Sequence, residues 1–298
     1  MFDCRSETSN ILQVRNSQAT KELCTYLLRS PEFYKPQMAK VIKLYRVIMT
    51  YAVSSRDKVT ANAIRTLGYF LSQIDIAHFQ QELEQDTQAA NFTSAIKRAL
   101  MAGLRNKSPK VTWNSCIAIG KTIRNPTLRD CPAAQSAFFN EETTKTLFDI
   151  VRNRQNIKAR NQAINTLLCY ETLEQMGGAP MLPLAQDCII DCLQYKTHFS
   201  GLTVELNYLD AFETNLLDLQ LLISQFLLGA KDSQEVKTYL NGNATFLFLQ
   251  QVTDYLRKEL QVPQYSALFE DQKEFDEDTE KLFQESNGKL ELKIGKLQ

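Results

Sequence analysis

Apolar and polar positions follow the period of an α-helix in three similar stretches, residues 58–68, 110–120 and 158–168, which start about 50 residues apart. In each stretch a Lys is followed, at matching offsets, by a small apolar residue, an amide, a small residue and a larger aliphatic residue. The apolar positions fall on one helix face, which neighbouring helices must cover. We therefore predict that these positions are buried as equivalents: Val59, Ala63, Leu67, Val111, Ser115, Ile119, Ala163 and Leu167.

Other residues fall on the opposite side of each of these helices. In the first stretch, Lys58, Ala61, Arg65 and Gly68 fall on that side. A Gly inside a helix costs about 1 kcal/mol of helix propensity. We therefore expect a steric reason for Gly68 and for its counterpart Gly120.

A second apolar helical pattern precedes each stretch, so that three helical hairpins are predicted. Their first helices are expected at 36–51, 91–104 and 141–151, and their second helices at 58–71, from 109, and at 157–175, where Gly177-Gly178 ends the last one. The charged residues 74–90 are predicted to form a connector, and Asn125-Pro126 and Cys131-Pro132 to mark a loop.

Further helices are predicted at 184–194, 204–228 and 243–260. The pattern at 204–228 is strongly apolar, which raises the question of a membrane span. Asp210, Glu213 and Asp218 leave too short an uncharged run for the ~20 residues that a span needs. We therefore expect a buried helix and no membrane association.

The three stretches, most clearly Lys110 to Gly120, resemble the second helix of HEAT repeats, which reads Val-Arg-x-x-Ala-x-x-Ala-Leu-Gly. The resemblance covers roughly residues 36–260 and implies an all-α fold, a HEAT/armadillo-type α-solenoid of stacked antiparallel helical hairpins that binds proteins. The chain departs from the family where many HEAT arrays have a ladder of Asp and Arg. The Arg position holds Thr60, Thr112 and only then Arg160, so we do not expect a continuous ladder.

Two regions are predicted, a solenoid over residues 1–262 and an acidic, mobile tail over 263–298. The run from Glu270 to Glu280 is rich in acids and poor in apolar residues, as in segments that do not fold alone. No polar terminal cap precedes the first hairpin, and solenoids need such caps for solubility. This leaves open that the array is the C-terminal part of a longer one.

The seven Cys residues form no CxxC pair, and their odd number leaves one unpaired in any disulfide scheme. We therefore expect reduced thiols and an intracellular protein, cytoplasmic or nuclear. Cys188 and Cys192 are one helical turn apart and could bind a metal together with His198, but buried core thiols are the favoured interpretation.

The sequence contains none of the common nucleotide-binding, zinc-hydrolase or nucleophile motifs. We therefore predict no enzyme, no cofactor and no metal. An enzyme with an unrecognised site is the second alternative to a binding protein.

The net charge is zero, yet Lys and Arg exceed Asp and Glu in the first half of the chain and the reverse holds in the second. Residues 97–129 contain eight basic residues and no acidic one; the next acid along the chain is Asp130. The stretch is either a solvated face balanced by acids elsewhere or a site for nucleic acid, the first alternative function. Nucleic acid is disfavoured because aromatic residues do not interleave with the charges along the stretch.

The only Trp, Trp113, lies on the side away from the apolar face, with Ile117 one turn later. It either anchors a partner or packs between successive second helices. We predict a non-enzymatic scaffold that binds a protein or peptide on the inner surface of the second helices. A partner segment that carries Asp and Glu is one alternative, and the chain's own acidic tail is one candidate occupant. The predicted partner-binding residues are Lys58, Arg65, Lys110, Trp113, Ile117, Arg124, Lys158 and Asn165.

Overall fold

The computed structural model describes residues 19–84, 92–153, 156–194, 206–229 and Gln234. These residues form helices joined by short turns, and no strand occurs among them, which confirms the all-α prediction for this part of the chain. Residues 19–27 are helical, and Pro31–Tyr34 and Leu173–Met176 are single helical turns. The longer helices are α1 Met38–Ala52, α2 Asp57–Gln73, α3 Ile76–Glu84, α4 Phe92–Leu104, α5 Pro109–Ile123, α6 Pro132–Phe138, α7 Glu141–Asn153, α8 Ile157–Leu167, α9 Met181–Gln194 and α10 Leu206–Gly229.

Local chemistry explains where the helices of the second and third hairpins begin. Pro109 opens α5, because its fixed φ suits a first turn and its missing N–H would have no partner there. Glu141 and Glu142 open α7, where carboxylates interact favourably with the positive end of the helix. The side chain of Asn156 caps α8 by accepting a hydrogen bond from the backbone N–H of Ala159, at 3.1 Å.

Three hairpins, α1/α2, α4/α5 and α7/α8, pack so that their second helices contact one another. α2 lies against α5, and α5 lies against α8. The eight positions predicted to be buried as equivalents are all buried, with Ala63 the most exposed at 3%. The repeat phase read from the sequence is therefore confirmed.

Two hairpins approach closely at Gly68 of α2. A Cβ atom on Gly68 would lie 2.6 Å from the Cα atom of Ala118 in α5, closer than real Cβ contacts allow. The expected steric reason for this Gly is confirmed. Ala61 and Gly68, on the side opposite the apolar stripe, are both buried, because α5 covers that flank of α2.

Buried side chains of one hairpin donate hydrogen bonds to backbone carbonyls of the hairpin before it. Asn114 Nδ2 in α5 donates to the Ala61 carbonyl of α2, at 3.0 Å. Thr166 Oγ1 in α8 donates to the Cys116 carbonyl of α5, at 2.8 Å. Asn125, just after α5, donates to two carbonyls at the end of α2, at 2.7 and 2.8 Å. These bonds fix the register of the second helices, because losing one would leave a buried amide or hydroxyl unsatisfied.

The position held by Thr60, Thr112 and Arg160 closes the hairpin turns. Thr60 Oγ1 and Thr112 Oγ1 each donate to the carbonyl six residues earlier, at 2.8 and 3.0 Å. Arg160 is buried and reaches further back, with Nε donating to the carbonyl of Val151 at 2.5 Å. The residues at this position thus stabilise the turn of their own hairpin, although two of the three are not the Arg of the HEAT pattern.

The prediction of a charged connector over 74–90 is wrong for its described part, residues 74–84. Ile76, Phe79 and Leu83 are spaced by three and four residues and form the buried face of α3. The Phe79 ring lies within 5.5 Å of aromatic rings from α1, α2 and α4. The polar residues between these positions concealed a short amphipathic helix.

Two other boundaries differ from the prediction. The segment after α5 forms a 3₁₀ helix, Pro126–Asp130, and then α6 rather than an irregular loop. α8 ends at Leu167 instead of continuing to residue 175, because Tyr170 turns into the core and its hydroxyl donates to the Phe138 carbonyl at 3.2 Å. Gly177 ends the separate single turn Leu173–Met176 rather than the predicted longer helix, and its φ of 111° is one that Gly adopts without strain.

Contacts divide the chain into two compact units, Met1–Leu219 and Gln220–Gln298. In the second unit the described residues are the end of α10 and Gln234. The predicted helix at 243–260, the boundary at 262/263 and the acidic tail lie outside the described residues. Among the described helices, α10 included, none combines the length and the apolar character required to cross a bilayer.

The two equivalent glycines of the second helices offer a stability test. We expect Gly68→Ala to destabilise the fold by at least about 1 kcal/mol, because the new Cβ forces the α2 and α5 backbones apart. Gly120→Ala is the matched control, since its Cβ would lie 3.3 Å from the Cys169 side chain and gains helix propensity. Urea unfolding of both variants measures the difference. Equal stability of the two variants would contradict the close approach at Gly68.

Candidate partner-binding surface

The solvent-facing side of α2, α5 and α8 contains all eight residues predicted to bind a partner. Four are exposed, namely Lys58, Arg65, Lys110 and Arg124. Four are partly buried, namely Trp113, Ile117, Lys158 and Asn165. We call these eight residues, together with Tyr69 and Lys121, the second-helix face.

Three Lys residues occupy the same place in successive second helices. Lys58, Lys110 and Lys158 each lie in the first turn of their helix. Because α2 packs on α5 and α5 on α8, the three side chains follow one another across the face. Within α2, α5 and α8 the only acidic residue is Asp57, so this surface carries an excess of positive charge.

Trp113 is partly buried and lies on the flank of α5 that faces α8. Its equivalents in the other second helices, Ala61 and Asn161, are buried. The larger indole extends beyond that flank, and the Lys158 ammonium lies 6.0 Å from its ring centroid, at the edge of cation–π range. Trp113 therefore combines the two alternatives that the sequence left open, with one part packed between second helices and another accessible.

A second pairing of an aromatic ring and a cation was missed from the sequence. The Lys121 ammonium of α5 lies 5.9 Å from the ring centroid of Tyr69 in α2. Lys121 occupies the place in its helix that Tyr69 occupies in α2, so the repeat register alone could have brought them together. Cations and aromatic rings thus alternate across helices, although they do not interleave along the sequence.

Several basic residues of the stretch 97–129 are neutralised by acids from other helices. Lys97 and Arg105 both form ion pairs with Glu142 of α7, at 3.1 and 3.0 Å. The two cations lower the pKa of the Glu142 carboxyl. Arg129 pairs with Glu171. The interpretation as a solvated face balanced by acids therefore holds for these three residues. Of the other five, Arg98 lies on α4 and Lys107 in the turn before α5, while Lys110, Lys121 and Arg124 lie on α5 or at its end.

Arg124 lies at the end of α5 beside a buried thiol. Burial raises the pKa of the Cys169 thiol, and the Arg124 guanidinium partly offsets that rise. The Cys169 thiol itself donates to the Asn165 carbonyl at 3.1 Å. The end of the second-helix face at Arg124 therefore lies beside Cys169, a buried residue just after α8.

The metal site considered for Cys188, Cys192 and His198 has no support among the described residues. No cluster of three or more His, Cys, Asp or Glu suited to a metal occurs there, and His198 lies outside them. Cys188 and Cys192 are buried, as the core interpretation predicted. The Arg160 guanidinium lies 3.3 Å from Cys192 Sγ, where its positive charge would oppose a metal ion.

Comparison with known proteins adds little to this picture. No protein family model matches the chain. The crystal structure of an engineered protein aligns over 81% of this chain and 90% of its own, at 11% sequence identity and a TM-score of 0.41. A similarity this weak carries no argument about fold or function.

The single Trp provides a direct test of the charge on the second-helix face. We expect iodide to quench Trp113 fluorescence more strongly than caesium at equal ionic strength, because the neighbouring lysines attract anions. Lys158→Gln should reduce the advantage of iodide, whereas Lys145→Gln on α7 should leave it unchanged. Equal quenching by the two ions in the native protein would contradict a cationic surface around Trp113.

Proposed function

We propose that residues 1–262 form a HEAT/armadillo-type α-solenoid, in which each hairpin buries its apolar face against the next. Support comes from the layer of contacts that runs from α2 to α5 to α8, at positions that repeat in the sequence. The buried side chains that donate to backbone carbonyls of the preceding hairpin also recur, at Asn114 and Thr166.

The proposed function is that of a non-enzymatic scaffold, which binds an acidic segment of a partner protein on the second-helix face. The observation that carries this proposal is the succession of Lys58, Lys110 and Lys158 across adjacent helices, next to the partly exposed Trp113. Such a surface offers an apolar anchor surrounded by cations. Interfaces often depend on one Trp in this way, while surrounding charges select the partner.

Charge complementarity favours Asp and Glu in the partner. Each exposed ion pair contributes little alone, about 0–1 kcal/mol, so several must act together to select an acidic segment. The Lys row and Arg65 can engage several carboxylates at once. Lys158 can approach a carboxylate while it stays close to the indole, so that charge and apolar contact fall at one place.

The proposed compartment is the cell interior, cytoplasm or nucleus. The described cysteines, Cys24, Cys116, Cys131, Cys169, Cys188 and Cys192, are all buried free thiols, as expected in a reducing environment.

A binding experiment tests the proposal with Trp113 as the reporter. A Glu- and Leu-rich peptide should change the fluorescence of the protein, and the change should saturate as the peptide concentration rises. The same peptide with Gln for Glu should bind at least about tenfold more weakly at low salt. Trp113→Ala, followed by calorimetry, should weaken binding by about 2 kcal/mol if the indole is a central anchor.

Matched charge variants locate the surface. Replacing Lys58, Lys110 and Lys158 together by Gln should remove most of the affinity for the acidic peptide. The control replaces Lys40, Lys43 and Lys145 by Gln, which makes the same change of charge on exposed positions of the first helices. Equal losses in the two triple variants would show that net charge alone attracts the peptide, and the proposed site would be wrong.

Nucleic acid is the second candidate, and one observation favours it. Tyr69 and Trp113 lie next to Lys121 and Lys158, and sites for single strands combine aromatic rings with cations. We nevertheless expect only weak, unselective binding, because the two rings are partly buried and one Lys lies near each. Titration with single-stranded RNA and DNA over a range of salt measures this. Tight, sequence-selective binding would favour nucleic acid over the acidic peptide.

A further inference from the structure

Two thiols occupy one side of α9, at its contact with α7. Cys188 and Cys192 are separated by one helical turn, and both are buried, at 0% and 3% exposure. Their Sγ atoms lie 3.7 Å from the carbonyl oxygens of Phe148 and Val151 in α7. Residues four apart in a regular helix have Cα atoms about 6 Å apart, within the range of a disulfide, but their Cβ atoms lie about 5–6 Å apart, beyond the roughly 3.5–4.5 Å that a disulfide requires. Joining the pair therefore requires the last turn of α9, which contains Cys192, to unwind locally.

Arg160 holds a positive charge against only one of these thiols. Its guanidinium donates to Cys192 Sγ at 3.3 Å, while its Nε donates to the Val151 carbonyl at 2.5 Å. The Phe212 ring lies 4.6 Å from the guanidinium carbon. Because Arg160 already satisfies the Val151 carbonyl, Cys192 does not need its proton for that contact. The arrangement favours a thiolate at Cys192.

The other charges around the pair agree with this asymmetry. A hydrogen bond from Cys188 lowers the pKa of the Cys192 thiol, and Arg160 lowers it further, against the opposing effect of burial and of Asp191. Asp191 itself forms an ion pair with Arg152. The same hydrogen bond, together with burial, raises the pKa of the Cys188 thiol. Cys192 is thus the nucleophilic member of the pair, and Cys188 keeps its proton.

We propose that Cys192 is an oxidation site for hydroperoxides and that Cys188 is its resolving thiol. The third hairpin alone among the three repeats places Arg at the position held by Thr60 and Thr112. This single difference between the repeats puts a guanidinium beside Cys192. Cys188, Cys192 and Arg160 are not among the residues of the second-helix face.

The reaction requires only a hydroperoxide and the two thiols. The Cys192 thiolate attacks the O–O bond of hydrogen peroxide, so that an S–O bond forms, the O–O bond breaks and hydroxide leaves to become water. Sulfur is oxidised to a sulfenic acid and the peroxide is reduced. The Cys188 sulfur then attacks the Cys192 sulfur, the S–O bond breaks, and the Cys188 proton leaves with the hydroxyl as water. The product is a disulfide within α9.

Quantitative alkylation of the native protein tests the first step, with Cys24 as an internal control. Cys24 is equally buried, at 0% exposure, and burial raises its pKa to about 12. We expect iodoacetamide to label Cys192 at least about tenfold faster than Cys24, as measured by mass spectrometry of the digested protein. Labelling of Cys192 at the rate of Cys24 or slower would overturn the proposal.

Peroxide treatment tests the second step. After brief exposure of the protein to hydrogen peroxide, we expect a peptide that carries a Cys188–Cys192 disulfide. In Cys188→Ser the sulfenic acid should instead persist at Cys192 and react with dimedone. Disulfides between other cysteines, without one between these two, would count against the assignment.

Arg160→Thr removes the guanidinium beside Cys192 and tests whether that charge activates the thiol. Thr closes the turns of the first two hairpins, so this variant is suited to retain the fold, which a thermal melt checks. We expect the labelling rate of Cys192 to fall roughly tenfold while that of Cys24 is unchanged. An unchanged rate at Cys192 in a folded Arg160→Thr protein would show that Arg160 does not activate it.

Discussion

The contact between successive second helices is the constraint on which the rest of the structure depends. α2, α5 and α8 approach closely because one flank of each is built from small residues, as Gly68 and Ala118 show. Close approach brings polar side chains within reach of carbonyls on the preceding helix, and Asn114 and Thr166 use that reach. The same contact buries one flank of each helix and leaves a single stripe to solvent. The second-helix face is the stripe that this contact leaves exposed.

The sequence predicted the helical periods well because burial of the first-helix side is a local, repeated requirement. Val59, Val111 and Ala159 are buried at one equivalent position because each meets the first helix of its own hairpin. The burial of Ala61 could not be predicted in the same way, since it depends on how a helix about 50 residues later packs. Contacts between hairpins are a tertiary property, and a single helical wheel does not contain them.

The candidate face shows the same division. The exposure of Lys58, Arg65 and Lys110 followed from helix periodicity, whereas the pairing of Tyr69 with Lys121 required the lateral order of the helices. α3 was missed for a different reason, since its polar residues outnumber the three that are buried. Thr60 and Thr112 stand where HEAT repeats carry Arg, and the structure explains them by the hydrogen bonds that they donate within their own hairpin turns.

Packing of adjacent helices also fixes a distance that any ligand of the Lys row must match. Neighbouring helix axes lie roughly 8–10 Å apart, so Lys58, Lys110 and Lys158 recur at about that interval. An extended peptide advances about 3.3 Å per residue, so its carboxylates would fall in register at every third residue. An α-helix advances about 1.5 Å per residue and would need acids near a heptad spacing. A ligand of Lys58, Lys110 and Lys158 would therefore be selected by the spacing of its charges as well as by their sign.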